Sequence, residues 1–152
     1  MLRDLRVRAL MDSPTSFGDT HEQAIARPDS FWQERAARNA LGRQDTCYVA
    51  VTGDRWLGML SGYYPGPERE VATLVGLWVD PAARGMNLGA RLFDALGDWA
   101  REQGSDRMQL WVTAINDAAI ALYRRIGFVE VDERRPLASD PSLDTILFVR
   151  KL

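Results

Sequence analysis

Cysteine and histidine are almost absent from this chain: Cys47 and His21 are the only residues of their kinds. With one cysteine no intrachain disulfide can form, so the sequence favours a reducing compartment and a cytoplasmic location. A lone cysteine before an apolar strand is more often a buried, inert thiol than a nucleophile. We expect no metal site.

Long apolar runs and basic blocks are missing as well. No uninterrupted apolar run approaches the ~20 residues of a membrane helix, and the charged N-terminus lacks the apolar segment of a signal peptide. Nineteen basic and twenty-one acidic side chains give a net charge of −2, with no basic cluster long enough to follow a nucleic-acid backbone. We therefore expect neither a membrane nor a nucleic-acid partner, and one domain over residues 1–152.

The chain does contain an apolar strand that runs into a glycine-containing loop and then an amphipathic helix, LVGLWVDPAARGMNLGARL at 74–92. At the start of such a helix several backbone N–H groups lack an intrahelical partner, and the helix dipole is positive there. Gly85 and Gly89 let phosphate oxygens approach the backbone, and Arg84 adds a charge. The stretch predicts a phosphate-bearing ligand, although an ordinary strand-to-helix turn with a surface arginine has the same residues.

A second block, MQLWVTAINDAAIALYRRIGFVEV at 108–131, has the pattern of a strand, a loop, a short helix and another strand. Together the two blocks resemble the GNAT (general N-acetyltransferase) superfamily. In that family the pattern Arg/Gln-x-x-Gly-x-Gly/Ala, after a long central strand, grips the pyrophosphate of acetyl-CoA. Here it maps to Arg84, Asn87 and Gly89, with Asn87 at the position where the family usually has its first glycine.

The second block of the resemblance supplies Asn116, Tyr123 and the closing Gly127-Phe128. The resemblance as a whole covers residues 45–152 well and residues 1–44 only loosely. Tyr123 matches the family's general acid, and a phenol with a pKa of ~10 suits a thiolate leaving group. Tyr123 also fits a helix tyrosine packed on the sheet. Asn116 also fits an N-cap of a helix over 117–125, which is compatible with a ligand contact.

The resemblance further implies that the central strand splays from its neighbour, so that free N–H groups at its end meet pantetheine and the thioester carbonyl. Leu77, Trp78 and Val79 occupy that position. The full set of residues expected to bind acetyl-CoA is Leu77, Trp78, Val79, Arg84, Gly85, Met86, Asn87, Leu88, Gly89, Ala90, Asn116 and Tyr123.

The general base is harder to assign, because no carboxylate falls at the mid-strand position where several family members place one. Thr73 is closest to that position, while Glu70 and His21 are alternatives. Water can also relay the proton. We favour water assisted by Glu70.

The acceptor is expected to enter opposite the cofactor, over loops 13–29 and 64–69. Acidic residues in and beside these loops would form a rim that favours a cationic amine by electrostatic steering; they are Asp12, Asp19, Glu22, Glu68 and Glu70. The identity of the amine is not written in the sequence, and a homodimer is left open.

The expected fold is α/β (α+β), with a mixed, mostly antiparallel central sheet between helices. The family fold normally begins with a strand, whereas this chain opens in a helix, so that edge strand is either missing or encoded upstream. The central strand over 70–79 has apolar residues on both faces: Val71, Val75, Leu77 and Val79 alternate with Ala72, Leu74 and Trp78. The other expected elements are a helix ending near Ser13-Pro14, a loop over 15–28, helices 29–41, 87–103 and 117–125, a hairpin of 46–52 and 55–64, and strands beginning at 108, 128 and 143.

The sequence thus predicts an N-acetyltransferase that moves an acetyl group from acetyl-CoA to a primary amine by direct attack in a ternary complex. The alternative is a catalytically inactive, acyl-CoA-binding regulatory module, which would keep the loop at 84–90. Retention of Tyr123 argues against that alternative. A nucleotide-binding domain is disfavoured because G-x-x-x-x-G-K-[ST] and G-x-G-x-x-G are both absent.

Overall fold

The computed structural model describes all 152 residues. Its six strands form one sheet in the order β1-β2-β3-β4-β6-β5, in which β3 and β4 alone run parallel. This confirms the predicted mixed, mostly antiparallel sheet. The strands are β1 (Asp45–Thr52), β2 (Arg55–Tyr63), β3 (Val71–Val79), β4 (Arg107–Thr113), β5 (Val129–Leu137) and β6 (Asp140–Lys151). The helices are α1 (Leu2–Asp12), α2 (His21–Ala26), α3 (Asp29–Leu41), α4 (Leu88–Glu102) and α5 (Asp117–Arg125), with 3₁₀ turns at Pro14–Ser16 and Pro81–Ala83.

The loop expected over residues 15–28 is wrong in part, because it contains α2. Thr20 and Gln23 start that helix with a capping box. The Gln23 amide donates to the Thr20 hydroxyl at 3.2 Å, and the Thr20 amide donates to the Gln23 side chain at 2.9 Å. These two bonds satisfy backbone donors at the helix start. The helix has only 6 residues, too few to show a hydrophobic period.

Two hydrophobic cores lie on opposite faces of the sheet. The larger one lies beneath α4 and α5 and includes the fully buried Phe93 and Phe148. The smaller one lies beneath α1, α2 and α3 and includes Leu5. Trp99, predicted to be a core residue, is 4% exposed, and its indole N–H donates to the carbonyl of Gly42 at 2.7 Å. The sheet is therefore covered on both faces, as expected.

The central strand β3 contains a bulge that the sequence pattern does not predict. Its register against β2 shifts between Val75 and Trp78, and Gly76 lies there with a φ of +71°. The extra residue reverses the alternation of side chains beyond it. Leu77 therefore packs on the core beneath α4, and Trp78 is buried in the opposite core. The predicted face assignment of these two residues is wrong for this reason.

The parallel pairing of β3 and β4 is short. It joins Val71–Leu74 to Arg107–Leu110, and β3 continues to Val79 without β4 as a partner. The predicted splay is confirmed, and it leaves the distal half of β3 with an open edge. No strand precedes α1 within these residues, and no helix of the structure has the length and apolar character needed to cross a membrane.

Candidate active-site cleft

A cleft of about 740 Å³ opens where β3 and β4 diverge. Its walls are the distal half of β3, the loop before α4, the end of β4 and one side of α5, and the turn after α1 closes one end. Thr113 and Asn116 fix that turn. The Thr113 hydroxyl donates to the Thr15 carbonyl at 2.6 Å, and the side-chain amide of Asn116 donates to the Ser16 hydroxyl at 3.0 Å. The first turn of the chain after α1 is thereby held across the mouth of the splay.

The loop before α4 has the backbone conformation of an anion site. Gly85 and Asn87 have positive φ angles, +83° and +59°. The amides of Leu88, Gly89 and Ala90 donate to no acceptor in the protein. Because these groups lie at the positive end of a 15-residue helix, they can bind phosphate oxygens.

Asn87 adopts the left-handed conformation that asparagine tolerates, but it is not a side-chain cap. Its side chain accepts no hydrogen bond from the helix amides. The side chain therefore does not compete with a phosphate for those donors. The departure from the family glycine costs the loop little, because the backbone conformation is kept.

Arg84 is held over the cleft by two contacts. Its Nε donates to the carbonyl of Val79 at 3.2 Å, and a terminal nitrogen forms an ion pair with Asp12 at the end of α1. Asp12 also accepts hydrogen bonds from the Trp78 indole at 2.9 Å and from the Ser13 hydroxyl at 2.8 Å. One carboxylate thus joins α1, the end of β3 and the loop before α4.

The environment of Asp12 favours its charged form. Partial burial acts to raise the pKa of Asp12, but hydrogen bonds from Trp78, Ser13 and Arg84, together with the charge of Arg84, lower the pKa below its ordinary value. Asp12 is also the one carboxylate that lines the cleft. Sequence reasoning placed it in an acidic rim and missed this contact, since Asp12 and Trp78 are 66 positions apart.

Tyr123 lines the cleft and is 8% exposed. Its ring packs against Phe93, Phe128 and Phe148 with centroid distances of 5.7, 6.1 and 6.3 Å. Its hydroxyl forms no hydrogen bond with the protein, and burial raises the pKa of Tyr123 above its ordinary value. The phenol therefore stays protonated at neutral pH and keeps a free donor for a ligand.

Asn116 is an N-cap residue that also lies in the cleft wall. Its side-chain oxygen accepts from the Ala119 amide at 3.1 Å, which confirms the N-cap of α5, and the residue lines the cleft. Of the twelve residues expected to bind the cofactor, all line the cleft except Met86, which is 61% exposed outside it.

The structure does not bring Glu70 and Thr73 to the cleft. Glu70 is exposed before the paired end of β3, where its carbonyl accepts from the amide of Arg107 at 3.2 Å. Thr73 is 4% exposed, and its hydroxyl accepts from the Gln109 side chain at 3.1 Å. Because β3 and β4 separate only after Leu74, both positions lie on the closed half of the strand. Of the three residues predicted to be catalytic, only Tyr123 lies at the cleft.

The expected acidic rim is not formed either. Asp12 is paired with Arg84, and Asp19 lies between Arg6 and Arg27 at 3.3 and 3.1 Å. The loop over 64–69 lies at the closed end of β3, away from the splay. His21 starts α2 and does not line the cleft.

A strand that splays from its neighbour, beside a helix whose first backbone amides are free, is the geometry that the sequence resemblance implies. The sequence model of the Acetyltransferase (GNAT) family matches residues 6–128. The chain belongs to this family. In this GNAT chain the matched segment includes the whole cleft, from Asp12 to Arg125.

Named relatives of this GNAT chain are acetyltransferases. It is 38% identical over 115 residues to the N-alpha-acetyltransferase RimI of Mycobacterium tuberculosis, covering 70% of this chain and 67% of that protein. It is 40% identical over 127 residues to a mycothiol acetyltransferase of Beutenbergia cavernae, covering 84% of this chain and 40% of that protein. The chain spans less than a third of some other curated relatives that it matches.

The fold is also that of solved acetyltransferases. The structure of yncA from Salmonella typhimurium with its cofactor acetyl-CoA superposes with a TM-score of 0.76, at 21% identity, over 99% of this chain and 86% of that one. At this identity the likeness shows the fold alone.

Proposed function

We propose that the chain transfers an acetyl group from acetyl-CoA to a primary amine by direct attack in a ternary complex. One observation carries this proposal: the free amides at the start of α4 and the open edge of β3 line one continuous cleft. Acetyl-CoA has the matching form, with a pyrophosphate separated from a reactive thioester by a long chain. Membership of the GNAT family and a like-folded structure that contains acetyl-CoA support the same donor.

Each part of the cleft has a separate function in this proposal. The amides of Leu88, Gly89 and Ala90 bind the pyrophosphate, and Arg84 adds a positive charge beside it. Backbone N–H groups at the open edge of β3, beyond the bulge, polarise the thioester carbonyl. The amine nitrogen then attacks the carbonyl carbon, the carbon–sulfur bond breaks, and Tyr123 donates a proton to the leaving thiolate.

The amine must lose a proton before or during attack. Asp12 is the carboxylate of the cleft, but its lowered pKa and its three hydrogen-bond donors make it a weak base. Glu70 lies at the closed end of β3. We therefore assign this proton to water.

Titration calorimetry with CoA tests the donor site. We expect a dissociation constant from the micromolar to the tens-of-micromolar range, and much weaker binding of ADP, which lacks the pantetheine arm. No heat of binding at millimolar CoA, with the protein folded, would contradict the proposal.

A second candidate is an acyl-CoA-binding regulatory module, which the absence of a free carboxylate from the cleft favours. The two functions differ in one assay. An acetyltransferase releases free thiol from acetyl-CoA when a panel of amines is added, whereas a regulatory module binds CoA but releases no thiol with any amine.

A further inference from the structure

The side of α3 that faces the sheet is unusually polar. Phe31, Arg35, Arg38 and Asn39 lie at spacings of i, i+4, i+7 and i+8, so they share one face of the helix. Helices that pack on a sheet normally bury an apolar stripe. On α3, Trp32 is buried in the core, and the polar face beside it lines a separate pocket of about 150 Å³ above the sheet.

Two hydrogen-bond donors in the wall of this pocket have no partner in the protein. Asn39 is 9% exposed, and its side-chain Nδ2 has no hydrogen-bond partner. Arg35 is half-buried and has no ion-pair or hydrogen-bond partner in the protein, while the carboxylate of Asp45 is paired with Arg38 at 2.6 Å. A buried donor without a partner is costly, so these two donors on one side of α3 favour a ligand that carries an acceptor group.

The nearby carboxylates form no ion pair with Arg35 and no hydrogen bond with Asn39. Asp19 is shared by Arg6 and Arg27. The free oxygen of Asp45, Oδ1, is itself buried and unpartnered in the same pocket. Its negative charge disfavours a phosphate dianion, whereas a carboxylate carries one charge and matches the planar guanidinium of Arg35.

The pocket and the active-site cleft share one lining residue, Val75. Val75 is 41% exposed and directly precedes the bulge at Gly76. A ligand whose carboxylate lies beside α3 can therefore extend past Val75 to the open edge of β3. That edge is where the proposed function places the thioester.

We propose that Arg35 and Asn39 bind the carboxylate of the acceptor, and that the acceptor is an amine carrying a carboxylate, of the amino-acid class. This inference rests on the proposed function and specifies its substrate. It reverses the charge expected from the sequence, because the acids of the supposed rim are paired with arginines or lie far from the cleft, while Arg35 is left without a counter-ion.

Matched ligands test this subsite. Straight-chain ω-amino acids from glycine to 6-aminohexanoate are compared with their carboxamides, which keep the amine but lose the negative charge. Binding is measured by ligand-observed NMR in the presence of saturating CoA. We expect at least one amino acid to bind tenfold or more tightly than its carboxamide, because a charged hydrogen bond to Arg35 is lost in the amide.

Variants of the pocket provide the second arm. Arg35→Gln should abolish the preference for the carboxylate, and Arg35→Lys should retain part of it. Asn39→Leu should weaken binding of the amino acid while raising the melting temperature, since it removes a buried donor without a partner. A purely structural residue would not show this opposite pair of effects. Arg55→Gln is the matched control, because Arg55 is exposed at the start of β2 and has no ion pair.

The outcomes separate the two proposals. Failure to bind CoA contradicts the proposed function. Normal CoA binding with equal affinity for amino acids and amides, with no binding of either, or with an unchanged preference in Arg35→Gln overturns the carboxylate subsite alone.

Discussion

At the scale of single residues, Asp12 is the side chain that holds most of the cleft together. It accepts hydrogen bonds from Ser13 and Trp78 and forms an ion pair with Arg84, so it joins the end of α1, the end of β3 and the loop before α4. Trp78 and Arg84 lie 66 and 72 positions from Asp12 in the chain, so local sequence does not predict these two contacts. The charge of Asp12 therefore matters for both the stability and the shape of the site.

Acid unfolding tests the contribution of Asp12. Its pKa is lowered in the folded protein, so its stabilising effect is present above the unfolded value of ~3.9 and is lost as the pH falls through the folded value. Asp12→Asn should therefore be less stable than the wild type at neutral pH. The free energy of unfolding, measured in urea across a pH series, should fall less steeply below pH ~4 in the variant.

A control for this experiment is Asp54→Asn. Asp54 is exposed in the turn between β1 and β2 and makes no ion pair. Its replacement should therefore leave the decrease in the free energy of unfolding below pH ~4 unchanged. If the free energy of unfolding falls equally steeply below pH ~4 in Asp12→Asn and in the wild type, the three hydrogen bonds of Asp12 add nothing to stability.

Tyr123 supports a prediction about turnover rather than stability. Because its hydroxyl has no partner in the protein, Tyr123→Phe should leave the melting temperature almost unchanged. If the phenol donates the proton to the thiolate, turnover should fall ~10²-fold while CoA affinity barely changes. The measurement is thiol release with chemistry as the limiting step.

Tyr64→Phe is the matched control for Tyr123→Phe. The Tyr64 hydroxyl is buried and shares a hydrogen bond of 2.6 Å with Ser105, away from the cleft. Its loss should cost about 1 kcal/mol of stability and leave turnover unchanged. If Tyr123→Phe keeps full turnover, Tyr123 is a packing residue of the aromatic core.

At the scale of elements, the bulge in β3 sets the geometry of the site. It exchanges the faces of Leu77 and Trp78, so each packs in the core opposite to the one that unbroken alternation gives, and it comes just after the end of pairing with β4. In the sequence the expected alternation of side chains continues through this strand, and a single glycine, Gly76, is the only signal of the bulge. The strand itself could be predicted, but the reversal of its faces could not.

Gly76→Ala tests the bulge. Alanine at a φ of +71° is strained, and its Cβ would lie 3.0 Å from a guanidinium nitrogen of Arg6. We expect a loss of about 1–2 kcal/mol in stability and a weaker affinity for CoA, because the strand relaxes toward regular pairing. Thermal unfolding and calorimetry measure the two effects.

Gly53→Ala separates backbone strain from the change at the cleft. Gly53 has a φ of +54° in the β1–β2 turn, and a Cβ added there would have no neighbouring atom within 4 Å. The variant should lose similar stability and bind CoA normally. Equal CoA affinity in both variants would mean that the bulge does not shape the donor site.

At the scale of the whole molecule, the sheet consists of two halves joined over a short distance. The strands β1, β2 and β3 meet β4, β6 and β5 only through the four register pairs from Val71 to Leu74. The turn after α1 links the halves again across the open end, through Thr113 and Asn116. The cleft is thus a property of how the halves meet, and no single element contains it.

The sequence by itself determined the elements other than α2, and the loop before α4, because they depend on residues close in the chain. Helix α3 and helix α5 lie within the predicted limits of 29–41 and 117–125, and the loop from Arg84 to Ala90 has its expected conformation. Helical period, capping residues and glycine positions act over a few residues, so they can be identified without the fold.

Tertiary structure alone decided which charges meet and which remain free. Asp12 is paired with Arg84, which lies 72 positions away in the chain. Glu70, which the sequence predicted to be catalytic, lies at the closed end of β3. Arg35 has no ion pair, whereas Asp19 and Asp45 are paired with other arginines. Electrostatic interactions depend on distance in space, and chain separation carries no information about that distance until the sheet has formed.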